Sequence, residues 1–161
     1  MFTCFDARYI ESYVALGRSL HVPVLLPRDG LERHNLEPDA CALAARLTAE
    51  WESEGNPIFD AVDLMGLSAP SSERVSEAKA RIDALPRGAL SMLLLHPAVK
   101  SPELEAIAPD WEARVADYET FLSEDLRRHI QTSGTTVIGY SVLRDEMRRH
   151  GRRQPQRHSA A

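Results

Sequence analysis

The chain has 161 residues and a formal net charge of −5, which is enough length for one domain with a hydrophobic core. The acidic balance argues against nucleic acid as the main partner, because phosphate binding requires a clustered basic surface. No apolar run approaches the ~20 residues of a membrane-spanning helix, and no signal peptide is visible. Cys4 and Cys41 lack CxxC spacing. We therefore expect a soluble protein of the reducing cytoplasm, without a membrane partner.

The first part of the chain alternates between helical and strand-like patterns. Apolar residues at helical spacing predict a helix over residues 8–20, followed by a short buried strand over 22–26. Turn residues at 28–30 end this strand. A second helix is expected to begin at Pro38 and to stop before the Gly-Asn-Pro sequence at 55–57. Residues 58–59 form a very short predicted strand, with Asp60 directly after it.

The clearest strand of the chain is predicted over residues 89–95, and it delivers His96. A second β-branched strand is expected over 135–139. The helices around these strands carry start and stop signals. The signals are Ser71 or Ser72 for one helix, Ser101-Pro102 for a short one, Asp110 for the helix of Trp111, Ser123 and Gly134 for the next, and Ser141 for a final helix to about 149.

This alternation predicts an α/β fold built from about four parallel βα units. Four units are too few to close an eight-stranded barrel, so the chain is either a small open sheet or half a barrel. The domain is expected over residues 1–147, and the basic segment 148–161 is expected to be a disordered tail.

Reactive groups of parallel α/β folds gather where the strands end. His96 follows the most hydrophobic strand and is the candidate catalytic residue, a proton donor or oxyanion stabiliser; the alternative is a hydrogen-bonded corner histidine. Arg28 and Asp60 follow strand-like runs and are candidates for the same site, although turn roles also explain them. Asp110 and Arg114 flank Trp111 at i, i+4 spacing, which a solvated ion pair and an N-cap also explain.

The six histidines show no metal-binding spacing, so no residue of this chain is predicted as a metal ligand. The arginines near the C-terminus could contact an acidic partner, but a solvated terminus explains them as well.

Several segments occur in an order that resembles the YdjC-like (ChbG/HpnK) carbohydrate deacetylases. The resemblance is carried by Leu94-Leu95-His96-Pro97-Ala98, by Asp110-Trp111 with Arg114 and Asp117-Tyr118-Glu119, and by Val137-Ile138-Gly139-Tyr140. Residues 5–9, 22–28 and 57–60 match upstream parts of the family pattern. In all, the resemblance spans residues 2–147.

The resemblance implies the C-terminal half of a distorted parallel βα barrel, polysaccharide-deacetylase-like in fold, that removes acetyl groups from N-acetylated sugars. It implies a catalytic role for His96, and Arg28, Asp60, Trp111 and Arg114 are the candidate substrate-binding residues. The complete family enzymes use a divalent metal, Mg²⁺ or Zn²⁺, whereas this chain alone is expected to bind none. Met1-Phe2-Thr3 corresponds to the end of the family's histidine-rich segment, which places the ligand histidines before residue 1.

The leading expectation is therefore a truncated deacetylase that is inactive alone and takes a small carbohydrate when completed. The alternative is a non-catalytic interaction module completed by a separate N-terminal chain, or a homo-oligomer, since half a barrel leaves strand edges unpaired.

Overall fold

The computed structural model describes residues 7–28, 38–67 and 71–153. The expectations for residues 1–6, for Asp29 and Gly30, and for the tail from residue 154 lie outside these ranges. The elements, in chain order, are α1 Ala7–Leu20, α2 Pro38–Ser53, β1 Ala61–Leu64, a 3₁₀ turn Ser71–Glu73, α3 Arg74–Asp83, β2 Ser91–Leu94, α4 Pro102–Ile107, α5 Trp111–Leu122, α6 Glu124–Ser133 and α7 Tyr140–Arg153. The chain divides into two compact units. Unit 1 comprises Met1–Asp60 and Ile138–Ala161, and unit 2 comprises Ala61–Val137.

Unit 1 has a hydrophobic core between α1 and α2. Ile10, Val14 and Gly17 recur at i, i+4, i+7 and face this core, as an amphipathic helix requires. Trp51 of α2 is fully buried, and its indole Nε1–H donates a hydrogen bond to the carbonyl oxygen of Pro57 at 2.9 Å. The remaining core residues come from α2, from the segments that follow α1 and α2, and from α7: Val24, Leu26, Ala44, Leu47, Ile58 and Met147.

Unit 2 contains a two-stranded parallel sheet in which Ala61 pairs with Ser91 and Leu64 pairs with Leu94. Its core is formed by Met65, Ala78, Ile82 and Leu126, with Leu93, Leu95, Phe121 and Ile130 packed against them. Because α3 lies between β1 and β2 in the chain, the strands are joined by a helical crossover, as parallel pairs require. The described residues therefore form an α/β fold with one parallel strand pair.

Two of the predicted strands, over 22–26 and 135–139, are absent from the described residues, and a third, at 58–59, is reduced to a single bridge. The prediction of a strand over 22–26 is wrong, because the Leu25 N–H donates to the Tyr13 hydroxyl at 2.7 Å and the Leu26 N–H donates to the nearby Val24 carbonyl. The predicted strand at 58–59 is reduced to an isolated parallel bridge between Pro27 and Phe59. Residues 135–139 are exposed and form no strand, since no described strand lies beside them.

One strand was not predicted, because β1 has the unremarkable sequence Ala-Val-Asp-Leu. Asp60 was expected just past a strand, but it immediately precedes β1. The count of four βα units is therefore too high for the residues that the structure describes, where one strand pair and one bridge are found.

The helix predictions are largely confirmed. The Ser101 and Ser123 side chains accept hydrogen bonds from the N–H groups of Leu104 and Leu126, and Gly134 ends α6 in the left-handed conformation at φ 80°. The prediction of a serine N-cap for α3 is wrong, since Glu73 occupies the N-cap position and its side chain makes no capping hydrogen bond.

The last helix differs from the prediction at both of its ends. It begins at Tyr140, so Ser141 lies inside it, and it continues to Arg153 rather than 149. Residues 148–153 are therefore helical and not part of a disordered tail, since arginines are good helix formers.

Candidate functional site

The candidate site of unit 2 lies where the parallel strands end. β2 ends at Leu94, and the Leu94 carbonyl accepts a hydrogen bond from Met65 N–H at 2.8 Å, which ties the ends of both strands together. His96 follows two residues later and is partly buried. The position predicted for His96, at the carboxyl end of a parallel strand, is therefore confirmed.

The imidazole of His96 has one nitrogen inside the protein. Nδ1 is buried and has no hydrogen-bond partner among the described residues. A buried polar atom without a partner is uncommon in folded proteins and marks a place where a ligand, a water or a strained arrangement is expected.

The main chain of His96 is bound by a buried carboxylate. His96 N–H donates to Asp117 Oδ2 at 3.1 Å, and Asp117 lies in the middle of α5 with a fully buried side chain. Its other oxygen, Oδ1, lies 2.6 Å from Nη2 of Arg74, which is also fully buried. These two atoms form an ion pair without the alignment of a hydrogen bond.

The ion pair continues toward the surface through α3. Arg74 Nη1 donates to Glu77 at 2.9 Å, and Arg81 contacts Glu77 at 2.9 Å on its far side. Arg81 Nη1 then donates to both carboxylate oxygens of Asp63 in β1, at 2.8 and 2.9 Å. The hydrogen bonding of Arg81 to Asp63 is the main reason that the pKa of Arg81 is raised. A charged network therefore connects α5, α3 and β1.

The predicted substrate residues of unit 2 are already engaged. Arg114 donates to Asp110 through Nε at 2.8 Å and Nη2 at 2.9 Å, and this hydrogen bonding lowers the pKa of Asp110. The Asp110 carboxylate therefore accepts hydrogen bonds from Arg114 and makes no side-chain capping bond to α5. The Lys100 ammonium lies 4.9 Å from the ring centroid of Trp111, in a cation–π contact. A ligand that stacked on this ring face would displace Lys100.

Arg28 and Asp60 form a separate group, in unit 1. Arg28 Nε donates to Asp60 Oδ1 at 3.1 Å, and its Nη1 donates to Glu52 at 2.6 Å. The Arg28 N–H also donates to the Phe59 carbonyl at 2.8 Å. The hydrogen bonds that Arg28 donates to Glu52 and, to a smaller extent, to Asp60 raise the pKa of Arg28. The structure thus joins Arg28 with Asp60, whereas His96, Trp111 and Arg114 belong to unit 2.

Sequence reasoning did not identify Arg74 or the buried contact of Asp117, although a signal was available. Arg74 lies at i, i+4, i+8 spacing with Ala78 and Ile82, on the apolar face of α3. Asp117 likewise shares the buried face of α5 with Ala113. A charge on an apolar helix face is the expected signature of a buried ion pair.

No group of three or more His, Cys, Asp or Glu residues able to hold a metal ion occurs among the described residues. None of the described helices is long and apolar enough to span a membrane. Neither a scan against protein-family models nor a search of curated proteins returns a match to this chain.

Proposed function

We propose that this chain is part of a YdjC-like carbohydrate N-deacetylase, in which β1 and β2 belong to a distorted βα barrel. The observation that carries the proposal is the place of His96, directly beyond the end of β2 and bound through its main chain to α5. The segment around His96 and the α5 sequence are also the parts of the chain that most resemble this family.

The proposed chemistry of His96 is proton donation to the leaving group. When the C–N bond of a tetrahedral intermediate breaks, the departing amine requires a proton, which an imidazolium can donate, leaving a neutral imidazole. Nε2 is the ring nitrogen suited to this role, because Nδ1 is buried. The described residues offer no metal site, so the role proposed for them is limited to this leaving-group side of the reaction.

Substrate contacts are proposed for Trp111 and Arg114. The aromatic ring can stack on a sugar ring once Lys100 moves, and Arg114 keeps Nη1, which makes no hydrogen bond to the described residues, for a sugar hydroxyl. The proposed contacts of Arg28 and Asp60 depend on unit 1 and are tested separately.

The proposal is tested in an enzyme completed with the metal-binding half, by acetate release from N-acetylated chito-oligosaccharides with Mg²⁺ or Zn²⁺ supplied. We expect His96→Gln to lower the turnover by about 100-fold or more, in the range that general acid catalysis contributes. The free energy of unfolding, measured with urea, should change little in His96→Gln, because the His96 ring makes no hydrogen bond to the described residues.

The same experiment includes a binding measurement for the case of no turnover. Titration with chitobiose should shift the NMR signals of the His96 ring and the Trp111 indole, while Arg28 signals report on unit 1. Turnover that is unchanged in His96→Gln, or the absence of any shift at His96 and Trp111, would rule out the proposed site.

A second candidate function is a non-catalytic interaction module that pairs with another polypeptide. It is favoured by α1, whose Leu16 and Leu20 are 56% and 54% exposed beside the buried face of the same helix. Light scattering of the purified chain and of a Leu16→Gln, Leu20→Gln variant tests it. If both proteins are monomeric and no partner is retained on purification, the interaction module is ruled out and the deacetylase proposal stands.

A further inference from the structure

We propose that Asp117 is a positioning residue, and that its bond to the His96 N–H fixes the main chain at residues 96–98 so that the His96 ring has one orientation. The proposal rests on the proposed function in one respect: catalysis is the reason why His96 needs a fixed orientation. Its structural content concerns unit 2 alone and can be measured without substrate.

The first argument is that α5 binds both available N–H groups of this corner. His96 N–H donates to Asp117 Oδ2 at 3.1 Å, and Ala98 N–H donates to the Arg114 carbonyl at 3.1 Å. Pro97, between them, has no N–H and a fixed φ. The corner therefore has no main-chain donor that is free to re-pair, and its path is set by the helix.

The second argument concerns the cost of a buried charge pair. Arg74 and Asp117 both have fully buried side chains, and apolar residues of similar volume would pack such a place at least as favourably. Buried ionic groups are retained in some proteins because they specify one arrangement. Here the arrangement is visible, because one oxygen of Asp117 binds Arg74 and the other binds the main chain of His96.

The third argument concerns Arg74 itself. Its Nη1 donates to Glu77 on the same helix at 2.9 Å, which holds the guanidinium while Nη2 faces Asp117. The Asp117 carboxylate therefore cannot turn away from His96 without removing the counter-charge from Arg74 Nη2.

The fourth argument is the ring of His96. Its Nδ1 is buried without a partner, so no hydrogen bond of that atom to a described residue selects the ring orientation. The orientation of the ring then depends on the packing around it and on the backbone path, which the Asp117 bond and the Ala98 bond to α5 define.

The experiment compares two double variants of the full chain that differ only at position 117. Arg74→Met with Asp117→Asn removes both charges but keeps an oxygen that can accept the His96 N–H. Arg74→Met with Asp117→Leu has nearly the same volume and no acceptor. Native-state hydrogen exchange measures the His96 amide, and carbon relaxation measures the order parameter of the His96 ring.

We expect an ordered ring in the wild type and in the Asn variant, with an order parameter near 0.8, a value of about the rigid limit. In the Leu variant the His96 amide should exchange about tenfold faster or more, and the ring order parameter should fall below about 0.6. Rescue by the amide distinguishes positioning from packing, since both variants lack the ion pair.

Equal ring order in the two variants overturns the proposal. If the Leu variant does not fold, the wild type and the Asn variant decide the question. A wild-type His96 amide that exchanges as fast as an exposed loop amide, or a disordered His96 ring in the folded Asn variant, overturns it as well. Because no sugar or metal is used, these outcomes are separate from failure of the deacetylase assay.

Discussion

Replacement of Arg74 by methionine should destabilise unit 2 strongly. The side chains of Arg74 and Asp117 are both fully buried and lie 2.6 Å apart. The Arg74→Met substitution leaves the Asp117 carboxylate in the interior without its counter-charge, which typically lowers the free energy of unfolding by about 3–5 kcal/mol. At roughly 2–4 °C per kcal/mol for a chain of this size, the melting temperature should fall by about 6–20 °C.

Native-state hydrogen exchange of amides in α3 and α5 is the suitable assay, because it reports on unit 2 without contributions from unit 1. The control is Lys79→Gln on the same helix. Lys79 pairs with Asp125 at 2.8 Å, but the Asp125 side chain is 66% exposed, so the loss of stability should be much smaller than that of Arg74→Met.

The double variant Arg74→Met, Asp117→Leu completes the measurement. Since both charges are removed, its stability should return to within about 2 kcal/mol of the wild type, well above the single variant. An Arg74→Met variant that loses no more stability than Lys79→Gln would refute the reasoning, because the pair would then not be desolvated.

Three further substitutions test local features. Gly17→Ala should destabilise unit 1 by about 1–3 kcal/mol despite the better helix propensity of alanine, because the added methyl would overlap the Val24 side chain; thermal unfolding measures this loss. Ser123→Ala should lower the stability of unit 2 by about 1 kcal/mol through loss of the α6 cap, which urea unfolding can detect. Arg114→Gln should raise the pKa of Asp110, whose value the Arg114 hydrogen bond lowers, as followed by carboxyl carbon NMR. A lowered pKa in the folded state means that this pair stabilises at neutral pH, and that its contribution is lost as the pH falls through the folded pKa; a titration unchanged by Arg114→Gln would refute this assignment.

The helices could be predicted because their signals are local in sequence. Pro38 opens α2, Ser101 and Ser123 accept the expected capping bonds, and Gly134 has the positive φ that favours glycine. Each of these signals acts within about one turn of the helix that it starts or ends. Tertiary packing was not needed to locate them.

The strands were predicted less well because strand formation depends on a partner distant in sequence. The apolar segment 22–26 has strand composition, yet the Tyr13 hydroxyl takes the Leu25 N–H that a ladder would need. β1 contains Asp63 and lacks a β-branched run, yet it pairs with β2 over four residues. Propensity describes how well a residue fits a pleated surface and does not determine which segments will meet.

The candidate site shows the same division between local and non-local information. His96 could be predicted because a strong strand leads to it directly, whereas the Arg74–Asp117 pair joins α3 to α5 and depends on how these helices pack. Each charge could be recognised separately as an exception on an apolar helix face. When one core contains a buried cation and a buried anion, the two are expected to pair, because a buried charge is costly without a counter-charge. Applied to α3 and α5, this argument leads from the sequence to the pair, and the pair leads to the main chain of His96, which it binds.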